Sequence, residues 1–142
     1  MNELRRRAIG LLARREHSRA ELARKLVAVG TTEEIDTVLA QLESEGLLSD
    51  ARYAEAYVRS HCERFGAARL RQTLRTKGIG TELASAQVRA LPDELERARL
   101  VWARKFASAP RDAREWSRQA RFLQGRGFAV EVVRRLLKDP VE

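Results

Sequence analysis

Residues 18–35 read SRAELARKLVAVGTTEEI, and this stretch predicts two helices joined by a short turn. Residues 18–21 and 31–34 both have the S/T-x-x-E spacing of a capping box, which marks the first turn of a helix. Gly30 lies between the two helices, where a glycine suits the left-handed conformation that commonly ends a helix. The local unit is therefore predicted to be a helix, a glycine turn and a second helix.

The first copy of this pattern consists of two leucines, a glycine and an apolar residue. The pattern recurs twice further along the chain. Leu22, Leu26, Gly30 and Ile35 correspond to Leu70, Leu74, Gly78 and Leu83 at an offset of 48 residues, and then to Gln119, Leu123, Gly127 and Val132 at a further 49. Each copy includes a preceding helix and is too small to be stable alone. We therefore expect an elongated array of three tandem three-helix repeats, with helix-turn-helix-like units.

Apolar residues recur at intervals of three and four along nearly the whole chain, and no segment alternates with period two. The fold class is thus predicted to be all-α, with about nine helices. Their approximate ranges are 3–14, 19–29, 32–45, 50–64, 66–76, 81–90, 92–106, 111–124 and 129–138, with Pro92 opening the seventh. The three repeats are predicted to cover residues 1–49, 50–91 and 92–142.

Composition excludes several classes of protein. The chain has 142 residues, 44% of them hydrophobic, which suffices for a core. No apolar run is long enough to span a membrane, and no secretory signal follows the charged N-terminus. The chain has a single cysteine, Cys62, which fits a reducing cytoplasm. The other candidate zinc ligands of this kind are His17 and His61, and the three residues do not have the spacing of a zinc site. We expect a cytoplasmic monomer with no metal and no cofactor.

The charge is strongly basic and unevenly distributed. The net charge is +8, and 24 of the 28 cations are arginine. The first repeat has a net charge of zero, whereas the second and third each have +4. No acidic residue occurs between Glu63 and Glu82, a segment that contains all five cations of the longest basic run, namely Arg64, Arg69, Arg71, Arg75 and Lys77. An anionic partner is therefore expected for the second and third repeats.

The fifth helix carries the candidate binding residues. If Leu70 faces the core, Arg71 and Arg75 lie about 100° and 140° to one side, and Arg69 lies about 100° to the other. An exposed face of a single sign can neutralise phosphates or acidic side chains, although it can also be an ordinary solvated face. The predicted partner-binding or DNA-binding residues are Arg69, Arg71, Arg75, Lys77 and Arg126.

The third helix argues against DNA recognition by a helix-turn-helix in the first repeat. It carries several acidic residues and no basic one, so it would be repelled by a DNA backbone. The chain also lacks a phosphate-binding glycine loop and a defensible nucleophile triad. We therefore expect no enzymatic activity.

Several segments of the chain carry a family resemblance: His17–Leu22 with Lys25 and Leu26, Leu48–Tyr57, Arg69–Ile79, Phe122–Leu123 and Arg126–Phe128. Through these segments the chain resembles the RecX family of recombination regulators over nearly its whole length. Two departures are Thr73, where the family more often has Glu, and Gly125, where a basic residue is usual.

The resemblance implies an all-helical cytoplasmic protein that binds the RecA recombinase, especially its filament on single-stranded DNA. Such proteins inhibit ATP hydrolysis, strand exchange and the co-protease activity that triggers the SOS response. They are thought to lie in the filament groove or to block filament growth. Their role thus belongs to DNA repair and recombination, and it requires no chemistry of their own.

Two alternatives stay open on the sequence. The first is a regulator that binds DNA directly through the same basic face, and the second is an unrecognised nuclease. A DNA binder should bind naked DNA tightly with a steep salt dependence, whereas a filament regulator should prefer the filament.

Overall fold

The computed structural model describes residues 2–138, and within them the chain forms nine α-helices and no β-strand. The helices are α1 (Asn2–Arg14), α2 (Arg19–Leu26), α3 (Thr32–Ser44), α4 (Asp50–His61), α5 (Ala67–Thr76), α6 (Thr81–Arg89), α7 (Glu94–Lys105), α8 (Ala113–Gly125) and α9 (Val130–Leu137). The all-α prediction is confirmed. None of the helices among the described residues has the length and apolarity needed to cross a membrane.

Local capping explains where several helices begin. Ser18 caps α2 and Thr31 caps α3, and both capping boxes form as predicted. The start of α7 differs from the prediction, because Pro92 precedes the helix. Asp93 is its N-cap, and its carboxylate accepts a hydrogen bond from the backbone N–H of Leu95. A side-chain acceptor for an otherwise unpaired N–H outweighs the preference of proline for the first turn.

The prediction of a left-handed Gly30 is wrong. Helix α2 ends earlier, at Leu26, and the glycines with positive φ are Gly46, Gly78 and Gly127. A Cβ atom on Gly30 would lie 3.1 Å from Cδ2 of Leu4. The glycine at position 30 therefore makes room for the close packing of α1, and its backbone φ is not in the left-handed region.

The chain divides into two compact units. The first comprises residues up to Tyr57 together with Leu74–Ala84, and the second comprises Val58–Thr73 together with residues from Ser85 onward. In the first unit, α1, α2 and α3 pack around one apolar core. The buried core residues are Leu4, Ala8, Leu22, Leu26, Ile35, Val38, Leu39, Leu42 and Leu48.

The turn after α5 packs on the start of α2 within the first unit. The Ser18 hydroxyl donates a hydrogen bond of 2.6 Å to the carbonyl oxygen of Lys77. Gly78 has φ of 88°, and a Cβ atom there would lie 2.3 Å from Cβ of Ala20. Only glycine satisfies both the conformation and the close approach at this turn.

In the second unit, the start of α5 packs on the turn between α8 and α9. The N–H of Gly66 donates to the carbonyl of Arg126 at 2.7 Å, and the N–H of Ala68 donates to the carbonyl of Gly127 at 3.1 Å. Gly127 has φ of 97°, and a Cβ atom there would lie 2.3 Å from Cβ of Arg69. These contacts hold two distant segments of sequence together and thereby place Arg69 beside the residues before Gly127.

Candidate binding surface

Two of the predicted site residues, Arg69 and Arg126, meet over one aromatic ring. The guanidinium of Arg69 lies 4.2 Å from the centroid of the Phe65 ring, and that of Arg126 lies 5.6 Å from it. Arg69 also donates a hydrogen bond of 3.1 Å to the carbonyl oxygen of Gly125. The ring reduces the freedom of both guanidinium groups, the carbonyl further restricts Arg69, and neither contact neutralises a charge.

A third guanidinium completes this group. Arg64 lies 5.5 Å from the same ring centroid, although it was not among the predicted site residues. We call Phe65, Arg64, Arg69 and Arg126 the Phe65 cluster. Arg126 lies in addition 5.3 Å from the Phe122 ring. The cluster therefore presents three cations and an aromatic ring on the surface of the second unit.

The backbone beneath the cluster is held by a buried arginine. Arg97 is only 7% exposed, and its Nη1 donates to the carbonyl oxygens of Cys62 and Phe65 at 3.0 and 2.9 Å. A buried guanidinium normally needs a carboxylate or several hydrogen-bond acceptors. Here carbonyl oxygens supply the acceptors, so Arg97 ties the segment that carries Phe65 to helix α7.

The cluster is not neutralised by acidic side chains. Within residues 2–138, no carboxylate forms an ion pair with Arg64, Arg69 or Arg126. Three neighbouring unpaired cations repel one another, and an anion placed between them would relieve that repulsion. The arrangement is suited to binding phosphate or carboxylate groups.

Arginines of the first unit provide the contrast. Arg15 binds the carboxylate of Glu21 at 3.0 Å, and Arg52 binds Glu16 at 2.7 Å. Burial by itself would raise the pKa of Glu21, but hydrogen bonds from Arg15 and from the backbone N–H of Ser18 lower the pKa below its usual value. These arginines serve the fold, because their charge is already matched.

Acidic side chains on and directly after helix α3 also form ion pairs within the first unit. Asp36 and Glu43 both pair with Arg19, and Glu45 pairs with Arg5. Two of the four carboxylates on α3, together with that of the C-cap residue Glu45, are therefore engaged within the first unit, where they link helices.

The remaining predicted site residues lie further along α5 and directly after it. Arg71 is half-buried and belongs to the second unit, as Arg69 does. Arg75 is exposed and Lys77 is half-buried, and both belong to the first unit. Within the described residues neither Arg71 nor Arg75 forms an ion pair. Leu70 and Leu74 are buried at 1% and 0% exposure, so the inward face of α5 is as predicted.

Sequence reasoning missed Phe65 and Arg64 as members of the surface. The available signal was the interleaving of arginine with phenylalanine, because Arg64 directly precedes Phe65 and Arg126 lies four residues after Phe122. Basic residues interleaved with aromatic ones are typical of surfaces that bind nucleic acid strands. In the part of the chain that the structure describes, no group of three or more His, Cys, Asp or Glu side chains is placed to hold a metal ion.

Three family models match successive parts of the chain. They are described as RecX, first three-helix domain, over residues 5–42; RecX, second three-helix domain, over residues 49–86; and RecX, third three-helix domain, over residues 92–137. The prediction of three three-helix repeats is thereby confirmed.

Curated relatives have the same family name. A regulatory protein RecX from Leptothrix cholodnii is 51% identical over 134 residues, covering 93% of this chain and 85% of that protein. A regulatory protein RecX from Ralstonia nicotianae is 42% identical, covering 95% of this chain and 86% of that protein. One from Pseudomonas putida is 44% identical, covering 94% and 88% respectively.

A solved structure shares the fold at low sequence identity. The crystal structure of RecX from Lactobacillus salivarius matches with a TM-score of 0.82 at 20% identity, covering 96% of this chain and 94% of that one. The family models, the relatives and the nine-helix fold agree with the resemblance carried by the quoted segments. The chain therefore belongs to the RecX regulatory protein family.

Proposed function

We propose that this protein binds the RecA recombinase and its filament on single-stranded DNA, and that it inhibits ATP hydrolysis, strand exchange and co-protease activity. Membership of the RecX regulatory family supports the choice of partner. The observation that carries the binding site is the set of unpaired guanidinium groups around Phe65. A filament on single-stranded DNA carries phosphates, and guanidinium groups bind phosphates as well as protein carboxylates.

The proposed mechanism is steric and needs no reaction at the regulator. Arg69 and Arg126 contact the filament, together with Arg71, Arg75 and Lys77 along and after α5. A regulator bound in the filament groove or at its growing end blocks subunit addition and the rearrangements that accompany ATP hydrolysis. We expect the protein to act as a monomer in the cytoplasm, where its proposed partner acts.

Because some of these arginines are already partly fixed, the surface is better suited to binding an anion than an ordinary solvated helix face is. Arg69 is held by the Phe65 ring and by the Gly125 carbonyl, so little side-chain entropy is left to lose when an anion binds. A freely solvated arginine loses about 2 kcal/mol of rotamer entropy when it is fixed. Preorganisation therefore increases the affinity that each contact contributes.

Direct binding to DNA is the second candidate, because the Phe65 cluster combines cations with an aromatic ring. In surfaces that bind single strands, cationic groups bind the phosphates while bases stack on aromatic side chains. A direct binder should hold naked single-stranded DNA tightly, with a steep loss of affinity as salt is added. A filament regulator should bind naked DNA weakly and the filament strongly.

The decisive test is titration of the protein into a RecA–single-stranded-DNA ATPase assay. The parent protein should inhibit ATP hydrolysis, and Arg69→Gln/Arg126→Gln should require at least about tenfold more protein for the same inhibition, about 1.4 kcal/mol. The matched control, Arg99→Gln/Arg111→Gln, removes two charges from the same unit. Both control arginines pair with neighbouring glutamates, so inhibition should be unchanged.

Two results would contradict the proposal. Absence of inhibition by the parent protein would remove the function itself. Equal inhibition by the parent and by Arg69→Gln/Arg126→Gln would keep the function but place the contact elsewhere on the molecule.

A further inference from the structure

A second basic surface lies in the first unit, on helices α1 and α2. A surface depression of about 480 Å³ is lined by Arg7, Gly10, Leu11, Arg14 and Lys25. We call it the α1–α2 depression. The four residues from α1 form one stripe, because positions three, four and seven apart share a helix face. Three of the five lining residues are cations and none is acidic.

The zero net charge of the first repeat conceals this surface. Among the described residues, six of the eight acidic side chains of the first repeat form ion pairs with other arginines; Glu16, Glu21 and Glu45, for example, pair with Arg52, Arg15 and Arg5. Within residues 2–138, neither Arg7 nor Arg14 forms an ion pair. The charges of the first repeat are therefore separated in space, and the depression keeps its positive charge.

Lys25 is held in place by a buried histidine. His17 is 1% exposed, and its Nε2 lies 2.9 Å from Nζ of Lys25. An ammonium group can only donate, so Nε2 must accept, and the ring proton then lies on Nδ1. Nδ1 lies 3.0 Å from the carbonyl oxygen of Arg15, which accepts that proton. Neutral His17 thus fixes the ammonium of Lys25 without reducing its charge.

The floor of the depression is open. A Cβ atom on Gly10 would have no neighbouring heavy atom within 4 Å. A ligand can therefore approach the backbone of α1 between Arg7 and Arg14. These two residues are two helical turns apart, about 10 Å along the helix axis. A ligand that engages both must carry anionic groups spaced over a similar length.

We propose that the α1–α2 depression binds the phosphodiester backbone of a nucleic acid strand, with Arg7, Arg14 and Lys25 contacting phosphates. His17 is a positioning residue that acts through Lys25. This site goes beyond the proposed function, which places the contacts on α5 and the Phe65 cluster. Guanidinium forks and a point ammonium charge are the groups that proteins use for phosphate. The separation of Arg7 and Arg14 favours a strand with repeated charges over a single small anion.

The test measures binding of a fluorescein-labelled oligodeoxythymidine to the full chain by fluorescence anisotropy at several salt concentrations. Arg7→Gln/Arg14→Gln should weaken binding at least about tenfold at low salt. It should also reduce the slope of log affinity against log salt by about 1.4, since each single-strand phosphate contact contributes about 0.7. The matched control, Arg5→Gln/Arg6→Gln, removes two charges from the same helix, but from arginines that already pair with glutamates. It should leave the slope unchanged.

The role of His17 is tested by a double-mutant cycle. His17→Leu should weaken binding in the parent chain and have no further effect in a Lys25→Met background. An equal loss in both backgrounds would show that His17 acts on the fold alone, and would overturn its positioning role. His17→Gln, whose Oε1 can accept from Lys25, should restore most of the affinity.

Three outcomes would overturn the proposed site. The first is failure of the parent chain to bind the oligonucleotide, and the second is equal binding by parent and Arg7→Gln/Arg14→Gln. The third is that Arg7→Gln/Arg14→Gln loses binding to a labelled polyglutamate peptide but still binds the oligonucleotide as the parent does. That result would assign the depression to an acidic protein. Binding of the oligonucleotide by Arg69→Gln/Arg126→Gln is measured alongside. This variant removes charges from the Phe65 cluster and leaves the α1–α2 depression unchanged, so the contributions of the two surfaces can be told apart.

Discussion

Substituting Gly66 by alanine tests how the start of α5 is held against the turn between α8 and α9. A Cβ atom on Gly66 would lie 2.5 Å from the carbonyl carbon and oxygen of Gly127, and 2.6 Å from the backbone nitrogen of Phe128. These neighbours are backbone atoms, so no side-chain rotation can relieve the overlap. The φ of Gly66 is not in the left-handed region, so the expected effect is purely steric.

The magnitude follows from the size of the overlap. Ordinary contact with a Cβ atom begins at 3.4 Å, so one segment must retreat by nearly 1 Å. That movement weakens the hydrogen bond of 2.7 Å from Gly66 to Arg126, and the one of 3.1 Å from Ala68 to Gly127. Each is worth about 0.5–1.5 kcal/mol, and overpacking adds about 1–3 kcal/mol. We expect Gly66→Ala to lower the free energy of unfolding by about 2–4 kcal/mol.

Urea denaturation followed by far-UV circular dichroism measures this change. The control is Gly10→Ala, because a Cβ atom on Gly10 meets nothing within 4 Å and the residue lies inside helix α1. Removing a helical glycine should raise stability by about 0.5–1 kcal/mol. The same substitution is thus expected to act with opposite signs at the two positions. Equal unfolding midpoints for Gly66→Ala and the parent would refute the packing argument.

Three further predictions concern stability. Leu74→Ala should cost about 2–5 kcal/mol in urea denaturation, because Leu74 has 0% exposure; a negligible cost would place it outside the core. Burial, aided by the charges of Arg15 and Lys25, lowers the pKa of His17 below 6.5. The unfolded chain therefore binds more protons than the folded chain, and the free energy of unfolding should fall as the pH drops below about 6.5. His17→Gln should remove that part of the pH dependence, and an unchanged profile would argue against it. Arg97→Met should cost about 2–4 kcal/mol, because the Cys62 and Phe65 carbonyls lose their donor, and a cost near zero would mean that water replaces it.

Helix positions were largely predictable because the signals that set them are local. The capping boxes at Ser18 and Thr31 form as the spacing predicted, and Leu70 and Leu74 are buried as the helical period predicted. One error arose where two local preferences competed, because Asp93 displaced Pro92 from the start of α7. The other arose from tertiary packing, because Gly30 lies against Leu4 of α1 and does not have a left-handed backbone. The repeat boundaries at residues 49 and 91 stay predictions.

The candidate site was predictable only in part. Counting charges identified the basic character of α5, and Arg69 and Arg126 were both named from the sequence. Their meeting over Phe65 depends on a backbone contact between segments about 60 residues apart, which no local pattern encodes. The zero net charge of the first repeat was correct as a sum, yet it concealed the α1–α2 depression.

The sequence by itself determined the all-α fold class, the three-fold repeat and the family, because helical periodicity and capping depend on neighbouring residues and the repeat is visible in the order of residues. Tertiary structure alone decided which arginines are free to bind a partner. An arginine is neutralised or left unpaired by the carboxylates that folding brings within about 4 Å of it, as Glu21 is brought to Arg15. Arg69 and Arg7 have no such neighbour among the described residues, because the folded chain places the acidic side chains elsewhere.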